Sequence, residues 1–145
     1  MIKKKKLIIG PRNSGKTTLA YYFEEKNESV RKQAHIVYGK ESIDTPSPYL
    51  ERPWMRQHLI SLQKSAYIVF LLFPLKVTKK SYPPGFTHVF KIPVVGVVTY
   101  TYDDMIDDNL KQMILKKMQV VGTFTDVIFV NITDKNQIEE QFKNY

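Results

Sequence analysis

The stretch Gly10-Pro11-Arg12-Asn13-Ser14-Gly15-Lys16-Thr17-Thr18 decides the fold of this chain. It fits the pattern G-x-x-x-x-G-K-[ST] of a phosphate-binding loop, whose backbone N–H groups and following helix N-terminus form an anion cradle. The apolar residues Leu7-Ile8-Ile9 before it predict a buried strand, and Thr18-Leu19-Ala20-Tyr21-Tyr22-Phe23 after it predict a helix. Because this strand–loop–helix context is the one that the motif requires, the sequence predicts a polyphosphate site.

Each part of the loop has a predicted role. Nine residues are expected to bind the polyphosphate of a nucleotide: Gly10, Pro11, Arg12, Asn13, Ser14, Gly15, Lys16, Thr17 and Thr18. Gly15 lets the main chain approach a phosphate closely because it has no Cβ. Lys16 is predicted to reach the β- and γ-phosphates and to be the catalytic residue, while the Thr17 hydroxyl ligates Mg²⁺.

The composition indicates one folded domain, 1–145. Hydrophobic residues make up 43% of the 145 residues, which argues against disorder. The net charge of +8 favours acidic partners, and a nucleotide polyphosphate is one. Nucleic acid is not favoured, because the lysines outside Lys3-Lys4-Lys5-Lys6 are scattered and lack interleaved aromatic residues.

Nothing in the sequence predicts export or a membrane span. The chain has no cysteine, which excludes disulfides and thiolate metal sites and fits a cytoplasmic protein. The four lysines imitate the start of a signal peptide, but only Leu7-Ile8-Ile9 follow before Gly10-Pro11, too few for its apolar region. The apolar run from Ala66 to Phe73 is too short for a bilayer and is expected to be a core strand.

Helix and strand patterns alternate after the loop, which predicts an α/β fold: a single three-layer domain with a central, mostly parallel six-stranded sheet. Helices are predicted over 16–26, 52–64, 107–120 and 136–143, and strands over 7–9, 35–38, 41–44, 67–73, 93–99 and 126–131. Thr45-Pro46-Ser47-Pro48 is predicted to break the chain, since two prolines cannot continue a ladder or a helix. Trp54 and Met55 are interpreted as core or interface residues.

A second candidate metal ligand ends the strand at 41–44. In phosphate-loop enzymes a carboxylate from a second strand end holds Mg²⁺ through water, because one hydroxyl cannot complete the octahedron. Asp44 follows the apolar Ile43 and precedes Thr45-Pro46. It is therefore predicted to bind the metal together with Thr17. The alternative is a carboxylate that serves only the turn after the strand.

The loop and a second segment, Ile43-Asp44-Thr45-Pro46-Ser47-Pro48-Tyr49-Leu50, resemble the EutP/PduV family of the ethanolamine- and propanediol-utilisation operons. Further similar segments are Lys32-Gln33-Ala34, His58-Leu59-Ile60-Ser61-Leu62-Gln63, Tyr82-Pro83-Pro84-Gly85-Phe86 and Val97-Val98-Thr99. The resemblance covers essentially the whole chain. It implies a Ras-like P-loop NTPase fold, a purine nucleoside triphosphate (ATP or GTP) with Mg²⁺, and association with shell or enzyme proteins of a bacterial microcompartment. The family is described both as GTPase-like and as carrying ATP-dependent acetate kinase activity, and the resemblance does not decide between them.

Several positions depart from the family pattern in the switch segments. Lys32 stands where the family has a threonine that caps Mg²⁺, and an ammonium group cannot ligate a metal. Ser47-Pro48 replaces the glycine of D-T-P-G, and the proline stiffens the segment. No glutamine follows to orient water, and Tyr49 occupies that neighbourhood. Slow intrinsic hydrolysis is therefore expected.

The largest departure concerns recognition of the base. Family members carry T-K-x-D or S-K-x-D, whose aspartate accepts two hydrogen bonds from guanine, whereas this chain has Thr99-Tyr100-Thr101-Tyr102. A phenol cannot replace a bidentate carboxylate, so a strong guanine preference is not expected unless Asp103 restores the contact. Thr99 and Tyr102 are nevertheless predicted to contact the nucleotide. Tyr100 or Tyr102 can stack on a purine, and a buried structural role is the alternative.

Three functions are compatible with these patterns. The first is a Mg²⁺-dependent nucleotide-binding protein with ATP-dependent phosphotransferase activity of the acetate kinase type. The second is a non-catalytic, degenerate GTPase-like assembly module of a microcompartment. The third, nucleic-acid binding through the basic surface, has the least support. A homodimer through the strand edge near His35 to Tyr38 is a separate hypothesis.

Overall fold

The computed structural model describes residues 3–26, 35–76, 82–102 and 104–145. Six strands form one sheet in these ranges: β1 Lys5–Ile9, β2 Val37–Tyr38, β3 Ser42–Asp44, β4 Ala66–Pro74, β5 Val94–Tyr100 and β6 Asp126–Asn131. The α-helices are α1 Lys16–Phe23, α2 Ser47–Glu51, α3 Arg56–Leu62, α4 Asp108–Val121 and α5 Lys135–Phe142. The segment Lys32-Gln33-Ala34 and Asp103 lie outside the described residues.

The sheet has the strand order β2-β3-β1-β4-β5-β6, so β1 lies between β3 and β4. All neighbouring strands run parallel except β2, which pairs antiparallel with β3 at the edge. The chain adds β3 on one side of β1 and then β4 on the other. A crevice therefore opens at the carboxyl ends of these strands, where ligands bind in open α/β sheets. The register sets Ile8 of β1 opposite Asp44 of β3.

Two separate hydrophobic clusters cover the two faces of the sheet. Leu7 and Ile9 belong to one cluster and Ile8 to the other, because side chains alternate along a strand. The first cluster takes its helical residues from α2, α3 and α4 (Leu50, Leu59, Ile114, Met118 and Val121), and the second from α1 and α5 (Leu19, Ala20, Phe23, Ile138 and Phe142). The predicted three-layer α/β architecture is confirmed.

Helix α1 is shorter than the predicted helix 16–26, because it ends at Phe23. The next residue, Glu24, turns toward the β2–β3 hairpin, where its carboxylate accepts hydrogen bonds from the N–H groups of Lys40 and Glu41 at 2.7 and 2.9 Å. Glu25 follows with φ +58°, a left-handed conformation that ends a helix. A contact between segments distant in sequence therefore sets this boundary.

The predicted break at Thr45-Pro46-Ser47-Pro48 is found, because β3 ends at Asp44, but the prediction that the two prolines exclude a helix is wrong, because α2 begins at Ser47. Pro46 is the extended N-cap and Pro48 lies in the first turn of the helix. Proline is tolerated there because its missing N–H has no partner within the helix. The short helix extends along the crevice side of the fold and ends at Glu51.

The predicted helix 52–64 is divided into three pieces. A 3₁₀ turn covers Pro53–Met55, α3 covers Arg56–Leu62, and a second 3₁₀ turn covers Gln63–Ser65. Trp54 is 69% exposed, so its interpretation as a core residue is wrong, while an interface role is untested. Leu59 supplies the fully buried contact of α3 instead.

The strand that ends the sheet is β2, as the dimer hypothesis requires, but it has only two residues. Short edge strands are one way in which proteins limit edge pairing. The homodimer therefore stays a prediction, and gel filtration at high concentration is its direct test. Among the described helices, none has the length and apolar character needed to cross a membrane.

Candidate polyphosphate-binding site

The loop after β1 has a backbone that only its glycines permit. Gly15 has φ +93°, and a Cβ there would lie 2.7 Å from Cγ1 of Ile132. A Cβ on Gly10 would lie 2.5 Å from Ser14 Oγ and 3.0 Å from Leu72 Cβ. Asn13, at φ 60°, supplies another left-handed residue. The loop is therefore held close to its neighbours, as a loop that wraps an anion with N–H groups must be.

Two side chains that are distant in the sequence hold the loop and the strand that leads into it. The hydroxyl of Thr99 donates to the carbonyl of Ser14 at 2.8 Å. The phenol of Tyr82 lies within hydrogen-bond distance of two strand carbonyls, Leu72 at 2.8 Å and Ile9 at 3.2 Å. Burial raises the pKa of Tyr82 well above its usual range. Tyr82 was predicted only as part of a turn, and its anchoring role has no local sequence signal.

Lys16 lies at the start of α1 with its side chain largely buried. Its Nζ donates to the carbonyl of Pro11 and to the hydroxyl of Ser47, both at 2.9 Å. Burial lowers the pKa of Lys16 to about 8, although the carboxylates of Asp44 and Glu51 act in the opposite direction. A bound anion would stabilise the charged ammonium, because it adds the opposite charge that these neutral oxygens do not supply.

Thr17 and Asp44 meet in the crevice, as predicted from the sequence. The Thr17 hydroxyl donates to Oδ2 of Asp44 at 3.0 Å. The other carboxylate oxygen, Oδ1, is buried with no hydrogen-bond donor among the described residues. Burial raises the pKa of Asp44, which the Thr17 hydrogen bond and the Lys16 charge only partly offset. An ionised carboxylate with an unpartnered buried oxygen is expensive, which is characteristic of a ligand-binding group.

These two side chains fit Mg²⁺ chemically. Magnesium prefers hard oxygen ligands and usually keeps several waters alongside one or two carboxylates and substrate phosphates. Among the described residues there is no group of three or more His, Cys, Asp or Glu side chains that could hold a metal. Thr17 and Asp44 alone would therefore form a site that is complete only with a phosphate ligand.

An open cleft of about 640 Å³ lies above these groups. The predicted loop residues Arg12 to Thr18 line it together with Asp44, Ser47 and Ile132. Gly10 and Pro11 form the base of the loop and are absent from the cleft lining. Ser14 Oγ is a second buried polar atom without a partner among the described residues. The cleft therefore collects a cation, unpartnered oxygens and loop N–H groups in one place.

The polar groups at the ends of β5 and β6 bind mainly to one another. Asp104 accepts a hydrogen bond from the Thr101 N–H at 2.8 Å and pairs with Lys76 at 3.0 Å. The phenol of Tyr100 donates to Gln137 Oε1 at 3.3 Å, and the same oxygen accepts the Asn131 N–H at 3.0 Å. Both oxygens of Asp104 therefore already have donors within the protein, Oδ2 from the Thr101 N–H and Oδ1 from Lys76.

Thr99 and Tyr102, which were predicted to contact the nucleotide, have different surroundings. Thr99 lies under the phosphate loop, where its hydroxyl supports Ser14. Tyr102 is 71% exposed and does not line the cleft. Asp103, the predicted substitute, lies outside the described residues. Ile132, which sequence reasoning missed, touches the cleft from the end of β6 and packs against Gly15.

Two side chains of the segment after Asp44, those of Thr45 and Tyr49, make their contacts elsewhere in the fold. Thr45 donates from its hydroxyl to the Ile8 carbonyl at 2.7 Å, which fixes the strand end. The ring of Tyr49 packs edge-on against His58, with centroids 5.9 Å apart. Tyr49 is thus directed to the α3 side, and no glutamine lines the cleft among the described residues.

The fold defines the class of protein. The structure is similar to a probable GTP-binding protein engB, with a TM-score of 0.65, 18% identity, and coverage of 97% of this chain and 94% of that one. The Arl6 BBS3 small GTPase of Trypanosoma brucei, bound to the analogue GppNp, gives a TM-score of 0.62 at 11% identity, with coverage of 97% and 94%. The elongation factor SelB of Methanococcus maripaludis, in complex with the GTP analogue GppNHp, gives a TM-score of 0.58 at 18% identity. The match covers 91% of this chain and 30% of that one. The fold is that of the Ras-like P-loop GTPases.

Sequence comparison then gives the family. The family described as ethanolamine utilisation – propanediol utilisation, PduV-EutP, matches residues 3–145. The propanediol utilization protein PduV of Citrobacter freundii is 32% identical over 139 residues, which are 96% of this chain and 91% of that protein. The chain belongs to the PduV-EutP family, which confirms the resemblance seen in its sequence.

Proposed function

We propose that this protein binds the Mg²⁺ complex of a purine nucleoside triphosphate, ATP or GTP, and serves ethanolamine or propanediol utilisation in the cytoplasm. The observation that carries the proposal is the arrangement around the phosphate loop. Lys16 lies beside two neutral oxygens, and Asp44 and Ser14 each keep a buried oxygen without a partner among the described residues. A Mg²⁺-bound polyphosphate supplies both the negative charge and the metal that these groups lack.

The proposed roles follow from the contacts. Lys16 neutralises charge on the β- and γ-phosphates, and the loop N–H groups from Arg12 to Thr18 cradle the phosphates. Thr17 and Asp44 would hold Mg²⁺ through their hydroxyl and carboxylate oxygens. When bound, the metal would neutralise charge on the phosphate oxygens. Thr99 and Tyr82 act as positioning residues, because their hydroxyls hold the loop and its strand in place.

We further propose that the base contributes little to selectivity. A site that discriminates strongly between bases pairs their polar edges with buried partners. At the ends of β5 and β6 the carboxylate of Asp104 and the amide of Gln137 are already paired within the protein. Tyr102 can add stacking, which every purine accepts. Binding of ATP is therefore expected to be at least as tight as binding of GTP.

Two uses of the bound nucleotide rest on different observations. Phosphoryl transfer of the acetate kinase type is supported by Lys16, a cation beside the proposed transferring phosphate. A non-catalytic role in assembly of a microcompartment is supported by Tyr49, which stands near the sequence position of an orienting glutamine and packs on His58 instead. Slow hydrolysis is common to both. Transfer of phosphate from ATP to acetate, lost in Lys16→Ala, would support the first use; its absence in a protein that binds ATP would support the second.

The direct test is calorimetric titration with non-hydrolysable ATP and GTP analogues and with tripolyphosphate, each with and without Mg²⁺. We expect Mg²⁺-dependent binding of all three ligands. A preference for GTP of about 100-fold or more would contradict the proposal on the base, since such a factor requires a paired guanine edge. Failure of all three ligands to bind would contradict the proposed function itself.

A further inference from the structure

Helix α2 occupies groups in the phosphate loop that a polyphosphate needs. Its first residue, Ser47, accepts a hydrogen bond from Lys16 Nζ at 2.9 Å. Its last residue, Glu51, accepts the backbone N–H of Arg12 through Oε1 at 3.2 Å. The two contacts engage the loop's cation and one of its N–H donors at opposite ends of one short helix. The Ser47 hydroxyl and the Glu51 carboxylate therefore occupy donors of the loop that would otherwise face a bound anion.

The contact with Glu51 is electrostatic as well as geometric. Its carboxylate is one of the two acids whose charge favours the protonated form of Lys16, with Asp44 as the other. Asp44 is a proposed metal ligand and would be neutralised by Mg²⁺. Glu51 has no such role, so its charge opposes a polyphosphate that enters the cleft. Glu51 is exposed, and like charges close together near a protein surface still repel more strongly than in bulk water.

Helix α2 is short and has few contacts that hold it in place. It has five residues, far fewer than an isolated helix needs for stability. Leu50, which is 1% exposed, fixes it to the core, but Ser47 and Glu51 bind it to the phosphate loop. The extended Arg52 then leads into the turn Pro53–Met55, which carries the exposed Trp54. A shift of α2 would therefore change the surroundings of Trp54.

We propose that α2 is an autoinhibitory latch, whose Ser47 hydroxyl and Glu51 carboxylate compete with an incoming polyphosphate for Lys16 and the Arg12 N–H. This inference rests on the proposed function, because it takes the loop to be a polyphosphate site. Binding requires the Glu51 carboxylate to leave the loop and Lys16 to exchange Ser47 for a phosphate oxygen. The latch lowers the affinity of the loop for a polyphosphate. It also couples occupancy of the site to the surface around Trp54.

The test compares Glu51→Gln with Glu140→Gln, an equal charge change at an exposed position of α5. Calorimetry with Mg²⁺–tripolyphosphate measures affinity without any contribution from a base. We expect Glu51→Gln to bind about five- to tenfold tighter than the parent, and Glu140→Gln to differ by less than about twofold. The gain should decrease in high salt, because screening weakens the repulsion that the substitution removes.

A second measurement follows α2 itself. Trp54 is the single tryptophan of the sequence, so intrinsic fluorescence reports on the segment that follows the latch. We expect its emission to change as Mg²⁺–tripolyphosphate saturates the parent protein. Ser47→Ala should alter the emission in the absence of ligand, because it releases one of the two contacts. Circular dichroism verifies that each variant is folded.

The outcomes separate failure of the latch from failure of the proposed function. If the parent binds tripolyphosphate and Glu51→Gln binds it no more tightly, the latch is refuted while the polyphosphate site stands. Constant Trp54 emission during a titration that calorimetry shows to be saturating refutes the latch in the same way. If neither the parent nor Glu51→Gln binds, both the proposed function and the latch are refuted. Binding by Glu51→Gln alone supports both.

Discussion

The cleft around the phosphate loop and the neighbouring ends of β5 and β6, which we term the base end, use their polar groups in different ways. At the phosphate end, the buried oxygens of Asp44 and Ser14 lack partners among the described residues. At the base end, Asp104 and Gln137 are bound to neighbouring residues of the protein. A buried polar group without a partner costs free energy that a ligand can recover, whereas a paired group gains little from one. From this comparison we propose that phosphate recognition is the retained part of this site and that base recognition is reduced.

The largest expected effect tests the phosphate end directly. Lys16→Ala should lower the affinity for Mg²⁺–tripolyphosphate by about 100-fold, because it removes a charge-assisted hydrogen bond inside a partly buried site. Lys117→Ala, an equal charge change at an exposed position of α4, should leave the affinity within about twofold. Calorimetry measures both. An equal loss in the two variants would mean that only general charge attraction holds the ligand.

Asp44→Asn tests whether this carboxylate binds metal or only serves the turn after β3. The variant keeps an oxygen for the Thr17 hydroxyl but loses the charge, so we expect Mg²⁺ to enhance tripolyphosphate binding about tenfold less than in the parent. Titrations with and without Mg²⁺ measure this difference, with Asp108→Asn as the exposed control. Full retention of the Mg²⁺ effect in Asp44→Asn would favour the turn carboxylate.

Gly15→Ala tests the contact between the phosphate loop and Ile132 at the base end. The positive φ of Gly15 disfavours any Cβ, and Ile132 from the base end lies 2.7 Å from its position. We expect the free energy of unfolding to fall by about 1–2 kcal/mol from the backbone conformation, with a further loss from the clash. Denaturant unfolding measures it.

A double-mutant cycle with Ile132→Ala separates the two contributions. In the Ile132→Ala background, Gly15→Ala should lower the free energy of unfolding by a smaller amount, because the clash is gone while the backbone strain stays. Additive losses in the double variant would show that the phosphate and base ends are energetically independent.

Tyr102→Ala tests the base end. If Tyr102 stacks on the purine, the affinity for ATP and GTP analogues should fall about fivefold and equally, and that for tripolyphosphate should be unchanged. Tyr38→Ala, at a similarly exposed tyrosine of β2, is the matched control. A loss of affinity for the GTP analogue alone would show that this residue takes part in guanine recognition. It would contradict the proposal that base recognition is reduced.

The smallest effect concerns Glu24, which links the end of α1 to the β2–β3 hairpin. Partial burial raises the pKa of Glu24, but hydrogen bonds from Ser42, Glu41 and Lys40 outweigh it and lower the pKa. The ionised carboxylate therefore stabilises the fold at neutral pH, and this contribution is lost as the pH falls through the lowered pKa. Glu24→Gln should lower the thermal midpoint by a few degrees at pH 7 and by progressively less below about pH 4.

The affinity for tripolyphosphate at pH 7 should be unchanged in Glu24→Gln, because the carboxylate does not line the cleft. A loss of affinity would show that the hairpin positions Asp44. A stability difference that persists at low pH would mean that the side chain acts through packing and not through its charge.

Much of the fold was predictable from local patterns. The strand Asp126–Asn131 has the predicted bounds, and α4 begins one residue after the Asp107 side chain that caps it. Parallel strands covered on both faces are continuously apolar, which made β4 and β5 recognisable. Boundaries failed where a distant residue decided them, as at Phe23, where Glu24 turns to the hairpin.

The sequence by itself determined the phosphate loop and the pairing of Thr17 with Asp44, because glycine, lysine and strand-end patterns are local and carry their chemistry with them. Only the tertiary structure decided what surrounds them: Tyr82 and Thr99 under the loop, Ile132 against Gly15, and α2 on Lys16. These contacts join residues far apart in the chain, and their geometry depends on the order of the strands in the sheet. A linear motif can therefore indicate candidate phosphate-binding groups, but it cannot predict which distant side chains hold those groups in place.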